Sequence, residues 1–310
     1  MSSIISGIAY ARLSAPNLDE MQEFLQHFGL LLAHRTDTRL YMRGLGDEPF
    51  IHVTELGPAG HIGFGYNVVE ASVLEKLVAS GQATAIEDID EPGGGQRVVL
   101  HDPNGFEIEL LHGRRKVDVI ASRPVVRPPK GPSVVPGPSK IRRIVHCALA
   151  TPLLDETINW WRDTLGLLPT DELYVGETEN RLGLFMRIDS GDQLVHHHIL
   201  FVVKNPNAGV HHVSFEVDDT DDLFMGHDHL KRLKRYDHVR GIGHHPLGRQ
   251  FFDYWMTPWN QMHEHWSTTE LMNADSAFNR HRVDGGLTHE HGDKPPERFV
   301  RQSSPVIRRA

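Results

Sequence analysis

The 310-residue sequence has one cysteine, Cys147, and no long apolar run. A single cysteine excludes an intrachain disulfide and fits a reducing compartment, so we expect the protein in the cytoplasm. No apolar stretch reaches the roughly 18–20 residues of a membrane span, and the first residues lack a signal pattern. Lys and Arg number 32 against 41 Asp and Glu, a net charge of −9. We therefore expect neither nucleic acid nor membrane as a partner.

Histidine, in contrast, is abundant, with 22 residues, and the chain is long enough for two domains. Residues 1–112 and 141–266 form two blocks. The segment between them, 113–140, is rich in Pro and Gly, which predicts a linker. The remaining residues, 267–310, are polar and show no clear period, so we expect a loosely packed extension.

The two blocks repeat the same order of segments. Each opens with a strand-like segment and a helical pattern, IAYARLSAP with LDEMQEFLQHFGLLL and IVHCALATP with LDETINWWRDTLGLLP. A later strand and a closing turn and strand repeat too, HIGFGYNVV with HHVSFEVDD and HDPNGFEIELLHG with YWMTPWNQMHEHW. This predicts a duplicated unit. The alignment places Tyr10 opposite His146, His61 opposite His212, and Glu109 opposite Glu264.

Three residues of the second block, His146, His212 and Glu264, have the chemistry of a metal site. Strand alternation puts His212 on the polar face of its strand and His211 on the apolar face, which favours His212 as the ligand. Glu264 lies on an apolar face, where a carboxylate is costly unless it is paired or bound to metal. Two histidines and a carboxylate around one ion, with the other side open, suit non-heme Fe(II) and oxygen chemistry.

The first block lacks the full set of ligands. Tyr10 stands where the second block has His146, and a neutral phenol is a poor ligand for Fe(II). We therefore expect the working site in the C-terminal block, and His61 and Glu109 to be ordinary polar positions.

The segment GIGHHPLGRQFFDYWMTPWNQMHEHW has a spacing typical of one enzyme family. His245 precedes Tyr254 by nine residues, and Glu264 lies six residues beyond Pro258. Together with HHVSFEVDD and IVHCALATP, this segment resembles the type I extradiol catechol dioxygenases of the vicinal-oxygen-chelate superfamily. The resemblance extends over residues 5–266.

The resemblance implies an α+β fold with two tandem domains, each of paired βαβββ modules that form a half-open barrel. The first pair of modules would be Tyr10–Ser80 and Gly81–Leu111. The domain at 1–112 would lack an active metal, and the domain at 141–266 would be catalytic. The family usually has Gly or Pro where this chain has Asn260. Because Asn tolerates the left-handed backbone conformation, we expect the turn to survive.

The resemblance also implies an activity, the cleavage of a substituted catechol by O2 beside one ring hydroxyl, which gives a semialdehyde acid. Fe(II), or alternatively Mn(II), would be the cofactor, a catechol and O2 the small-molecule partners, and a homo-oligomer the assembly. The metal ligands would be His146, His212 and Glu264.

The remaining catalytic residues would be His245, Tyr254 and a histidine of the run QLVHHHILFVV. Within this run the resemblance favours His197 as the acid–base residue, with His196 and His198 as alternatives. Catechol oxidation requires proton transfers, and a histidine whose pKa lies near 7 can accept and return a proton.

Two other functions fit the same fold. A glyoxalase-type isomerase would use Zn(II) or Ni(II) and two glutamate ligands. A non-catalytic protein that binds aromatic ligands would not need the full ligand set. Metal content separates the three hypotheses: iron favours the oxygenase, zinc or nickel the isomerase, and no metal the binding protein.

Overall fold

The structure, a computed structural model, describes residues 2–122, 137–283 and 291–309. Two large β-sheets, one in each half of the chain, confirm the predicted tandem arrangement of two sheet-rich halves. Half of the predicted linker, residues 123–136, lies outside the described residues. No helix in the described part of the chain is both long and apolar enough to cross a membrane.

The N-terminal half forms one sheet with two helices against it. The strands are β1 (Ile5–Ala15), β2 (Leu31–Arg35), β3 (Arg39–Arg43), β4 (His52–Leu56), β5 (Gly60–Val68), β6 (Glu87–Asp88), β7 (Gln96–His101) and β8 (Glu107–His112), and the helices are α1 (Leu18–Phe28) and α2 (Ser72–Ala79). Across the sheet the order is β2-β3-β4-β1-β5-β8-β7-β6.

The C-terminal half repeats this plan. Its elements up to residue 267 are β9 (Ile141–Thr151), α3 (Leu154–Leu165), β10 (Leu168–Tyr174), β11 (Arg181–Arg187), β12 (Val195–His196), β13 (Leu200–Lys204), β14 (Gly209–Val217), α4 (Thr220–Leu233), β15 (Asp237–His244), β16 (Phe251–Met256) and β17 (Met262–Ser267). The main sheet runs β15-β16-β17-β14-β9-β13-β11-β10.

Each half contains two βαβββ modules. In the N-terminal half the first module ends with β4 at Leu56 and the second begins with β5 at Gly60, so the predicted boundary between Ser80 and Gly81 is wrong. Helix α2 ends at Ser80 inside the second module. The strands on either side of this helix in sequence, β5 and β8, pair with each other in parallel and so belong to one module.

Amphipathic helices close the core on one side of each sheet. Helix α1 begins after Asn17, whose side chain accepts hydrogen bonds from the first backbone amides, and it buries Phe24 and Phe28. The Phe28 ring stacks on His265 of β17 with centroids 3.8 Å apart. One hydrophobic core therefore continues from the first half into the second, which fixes β17 against the N-terminal half.

The described residues of the C-terminal extension are mostly exposed, but they include short strands that pair with the C-terminal sheet. The extension contributes β18 (Leu271–Met272), β19 (Asn279–Arg282), α5 (Glu297–Val300) and β20 (Ser304–Pro305). Strand β19 pairs with β10, and β20 pairs with β14. Added edge strands are held by backbone hydrogen bonds, which need no apolar period in the sequence.

Candidate metal centre

Three neighbouring strands bring His146, His212 and Glu264 together. Strands β17, β14 and β9 are adjacent, and Ser214 of β14 pairs with both Glu264 and His146. The Nε2 atoms of the two histidines are 3.0 Å apart. Glu264 Oε2 lies 3.2 Å from His146 Nε2 and 3.4 Å from His212 Nε2. The donor atoms of these three side chains converge on one point, and all three side chains are buried.

The donor atoms of this triad fit a divalent metal ion. Both carboxylate oxygens of Glu264 are buried, and neither has a hydrogen-bond partner among the described residues. Burial lowers the pKa of His146 and His212 well below the usual value, which keeps both imidazoles neutral with a lone pair to offer. Ligands about 2.0–2.2 Å from an ion and at right angles to one another are about 3 Å apart, close to the separations found here.

A chain of hydrogen bonds fixes the tautomer of His212. His211 Nε2 lies 2.8 Å from the Phe299 carbonyl oxygen, which can only accept, so His211 donates from Nε2. A neutral His211 then accepts at Nδ1, 2.7 Å from His212 Nδ1. His212 therefore carries its proton on Nδ1 and directs the Nε2 lone pair at the triad centre. A histidine ligand oriented by a partner on its other nitrogen is typical of metal sites.

The sheet register corrects one pair in the repeat alignment. Tyr10 and Glu109 do correspond to His146 and Glu264, because Gly65 pairs with both of them as Ser214 pairs with both ligands. His61 does not correspond to His212, however. The register shifts in each sheet leave His212 opposite Ala148, and its N-terminal counterpart is Gly63, opposite Arg12. The Nδ1 atom of His61 lies instead 3.1 Å from Ser304 Oγ.

In the N-terminal half an arginine neutralises the buried glutamate. Arg12 Nε donates to Glu109 Oε1 at 2.6 Å, and Tyr10 Oη donates to Oε2 at 2.7 Å. Arg97 adds a contact of 2.8 Å. Burial by itself would raise the pKa of Glu109, but the two guanidinium groups lower it to about 2. The cations that neutralise this carboxylate therefore come from the chain itself.

The three consecutive histidines have different surroundings. His197 Nε2 lies 2.7 Å from Asp171 Oδ2, and its Nδ1 lies 2.9 Å from His198 Nδ1. The His198 ring packs against His146 with centroids 4.3 Å apart. His196 bonds to the Arg143 guanidinium at 2.9 Å. The geometry therefore favours His198 over the predicted His197 as the residue that faces the triad, because alternate residues of an extended segment face opposite ways.

The predicted pocket residues His245 and Tyr254 also lie beside the triad. His245 Nε2 lies 3.1 Å from Tyr254 Oη, and the ring centroids of Tyr254 and His212 are 5.2 Å apart. Burial, and then the nearby charge of Glu264, raise the pKa of Tyr254 well above 10. Asn260 adopts a φ of 60°, the left-handed conformation predicted for it.

A cavity of about 1000 Å³ reaches one edge of this centre. Its lining includes His198 and Ile144 together with the charged residues Lys116, Arg142 and Glu216. None of the three triad residues lines the cavity, so it meets the centre through His198.

The sequence reasoning missed Arg12 and the partners of the paired histidines. Arg12 could have been found, since strand alternation puts it on the same face as Tyr10. Asp171 and Phe299 gave no such signal, because each lies far along the chain from the histidine that it contacts, at a distance in sequence that no local pattern spans.

Comparisons with known proteins agree with this geometry. Residues 143–255 match the Glyoxalase/Bleomycin resistance protein/Dioxygenase superfamily. The chain is 25% identical to Metapyrocatechase 2 of Cupriavidus necator, over 96% of the chain and 92% of that protein. It is also 25% identical to an iron-dependent extradiol dioxygenase of Rhodococcus jostii, over 74% and 78% of the two chains. A complex of homoprotocatechuate 2,3-dioxygenase from Brevibacterium fuscum with 3,4-dihydroxyphenylacetate has the same fold, with a TM-score of 0.83, 18% identity and coverage of 99% and 95%.

Proposed function

The chain belongs to the glyoxalase/bleomycin resistance protein/dioxygenase superfamily, and from that premise we propose that it is an extradiol dioxygenase that opens a catechol ring with O2. Fe(II) is the proposed cofactor, held by His146, His212 and Glu264, and Mn(II) would fit the same ligands. Of the two relatives described above, one is named a metapyrocatechase and the other an iron-dependent extradiol dioxygenase.

One observation carries the proposal most directly. Glu264 is fully buried, lies 3.2–3.4 Å from two neutral imidazole nitrogens, and forms no ion pair with Lys or Arg among the described residues. A bound Fe(II) would supply the missing positive charge and leave positions for both catechol oxygens and for O2. The equivalent glutamate of the N-terminal half, Glu109, is instead neutralised by Arg12.

His198 is the proposed acid–base residue. Asp171 accepts from His197 Nε2, so a neutral His197 accepts at Nδ1 and His198 donates from its own Nδ1. His198 Nε2 then carries a lone pair that can take a proton from a catechol hydroxyl and return it later in the reaction. Burial lowers the pKa of His198 well below the usual value, which favours this unprotonated form. His197, the residue predicted for this role, would position His198.

Tyr254 and His245 would hold the substrate oxygens. The raised pKa of Tyr254 keeps its phenol protonated near neutral pH, so the hydroxyl is a donor to a catechol oxygen. His245 contacts the same hydroxyl and would orient it. Asp253 and Trp255, the neighbours of Tyr254 on β16, point to the other face of the sheet. The Tyr254 ring lies beside His212, and the His198 ring lies beside His146, so each contacts a different ligand of the triad.

A glyoxalase-type isomerase is less well supported. That chemistry was expected to require two glutamate ligands, and the triad in the described part of the chain contains one carboxylate. The cytoplasmic location and the homo-oligomeric assembly expected from the sequence stay predictions.

The proposal is tested by loading the protein anaerobically with Fe(II) and then adding air and a panel of catechols. Ring opening should give a yellow semialdehyde, followed by absorbance, with one O2 consumed per ring opened. If the iron-loaded protein opens none of the catechols, the proposal fails.

The assignment of His198 is tested by comparing two glutamine variants. His198→Gln should lower kcat by about 10²–10⁴-fold, the usual contribution of a positioned acid–base group, while iron content is unchanged. His197→Gln should have a smaller effect, since it alters only the orientation of His198. A larger loss in His197→Gln than in His198→Gln would reverse the assignment and support the residue predicted from sequence.

A further inference from the structure

A second group of metal-ligand side chains lies in the C-terminal half, apart from the triad. His227 comes from α4, His238 from β15 and Asp253 from β16, and one donor atom from each lies within 4.8 Å of the others. We call this group the His227–His238–Asp253 cluster. Asp253 precedes Tyr254 on β16, and successive residues of a strand point to opposite faces. The cluster is therefore on the face covered by α4, behind the proposed catalytic pocket.

The carboxylate of Asp253 is oriented as a ligand would be. Its Oδ1 atom lies 2.8 Å from His238 Nε2 and 3.1 Å from His227 Nδ1. Oδ2, which is also 3.1 Å from His227 Nδ1, accepts a hydrogen bond of 2.6 Å from the indole of Trp255. Asp253 is fully buried, and each imidazole is less than one fifth exposed. The Trp255 indole thus holds Oδ2 of Asp253, and Oδ1 faces the two imidazoles. Carboxylates that bind metal ions are commonly held by such a hydrogen bond to a neighbouring donor.

A further imidazole adjoins the cluster with an unused lone pair. His265 of β17 pairs directly with Asp253, so the two side chains share a face of the sheet. Its Nε2 donates to the Phe28 carbonyl at 2.7 Å, which leaves Nδ1 unprotonated in the neutral ring. Nδ1 is buried and has no hydrogen-bond partner in the described part of the chain. Hydrogen bonds within the cluster account for His227 and His238, but they leave this nitrogen without a partner.

We propose that the His227–His238–Asp253 cluster binds a divalent transition-metal ion of the zinc class. Two imidazole nitrogens and one carboxylate oxygen are ligands that zinc prefers, and one negative charge offsets half the charge of the ion. The ion would tie α4 to the β15–β16 hairpin, whose other face carries Tyr254. The proposal concerns a site separate from the triad and does not depend on the proposed dioxygenase activity.

Counting bound zinc tests the proposal. Metal-free wild-type protein, Glu264→Gln, His238→Gln and the double variant are dialysed against Zn²⁺, and excess metal is then removed by dialysis. Wild-type protein should retain about two ions per chain, each single variant about one, and the double variant none. His229→Gln, which changes a histidine of α4 outside the cluster, should bind as the wild type does and controls for binding to other histidines.

Two results would overturn the cluster as a metal site. One is a folded Glu264→Gln protein that retains no zinc, which would mean that the cluster is only a hydrogen-bonded cross-link. The other is zinc retained by the double variant, which would place the ion elsewhere. Equal stoichiometry in wild type and Glu264→Gln would count instead against the triad, so the two proposals fail separately.

If Glu264→Gln does not fold, Co²⁺ gives a second measurement. Both wild type and His238→Gln are loaded with Co²⁺, and the variant's visible spectrum is subtracted from that of the wild type. The difference should be the absorption of one tetrahedral or five-coordinate Co²⁺ centre, which the variant lacks. Identical spectra and identical Co²⁺ stoichiometry would overturn the proposal.

Discussion

Glu109 and Glu264 occupy equivalent places in the two halves of the molecule, each fully buried on the closing strand of a duplicated unit. Glu109 is surrounded by cations and a phenol of the chain itself, chiefly Arg12 and Tyr10. Glu264 faces two neutral imidazoles and forms no ion pair with Lys or Arg among the described residues. The same duplicated fold therefore holds a structural ion pair in one half and a buried carboxylate suited to bind a cation in the other. The side chains beside each glutamate account for this difference.

The largest expected difference comes from removing each carboxylate. Glu264→Gln should weaken iron binding by at least about 100-fold and abolish ring opening, since loss of an outer partner alone weakens metal affinity by about 10–100-fold. Glu109→Gln should leave iron content and activity per folded chain unchanged. Iron analysis and the catechol assay measure both, and loss of iron in Glu109→Gln would contradict the division between the halves.

The same pair of variants should change the stability of the metal-free protein in opposite directions. Glu264→Gln removes an uncompensated buried charge and should stabilise the metal-free protein by about 1–3 kcal/mol, the usual cost of an unsatisfied buried group. Glu109→Gln leaves Arg12 buried with a weaker partner and should destabilise it. Urea unfolding gives both signs, and destabilisation by Glu264→Gln would mean that a cation of the chain already neutralises that carboxylate.

Removing the Arg12 guanidinium, the cation that neutralises Glu109, should lower the free energy of unfolding. Arg12→Met leaves Glu109 buried without its main partner, and breaking a buried ion pair in this way costs about 3–5 kcal/mol. Unfolding in urea measures the loss, with Arg35→Met, which breaks an exposed ion pair with Asp19, as the control. The control should lose less than about 1 kcal/mol. A similar loss in both variants would show that Arg12 is not the counterpart of the metal.

The smallest expected effect concerns the orientation of His212. His211→Phe removes the acceptor for the His212 Nδ1 proton and should weaken iron affinity by about 10–100-fold without removing a ligand. Phe299→Leu retains the backbone carbonyl that His211 uses and should bind iron as the wild type does. Competition with a chelator measures both affinities. Unchanged affinity in His211→Phe would exclude the relay through Phe299.

Much of the fold and of the candidate site was predictable from local patterns. Strand alternation placed His212 and Glu264 on faces that do meet, and the segment repeat predicted two halves of like topology. The alignment of His61 with His212 was wrong by two residues, because it matched two histidines by type, whereas the strand pairing that makes Val210 the counterpart of His61 is not visible in either segment. The strands of the extension were not predicted, because an edge strand joins a sheet through its backbone and needs no apolar period.

The local sequence shows which residue types are available: two histidines and a glutamate in one half, and Tyr10 in place of the first histidine in the other. Three features depend on how the distant strands pack: His198 and not His197 faces the triad, Arg12 neutralises Glu109, and the extension reaches His211 through the Phe299 carbonyl. The reason is the distance along the chain between the residues that interact. Periodicity reports which face a side chain takes within its own strand, whereas charge compensation and hydrogen-bond partners depend on which distant strands the fold brings beside it.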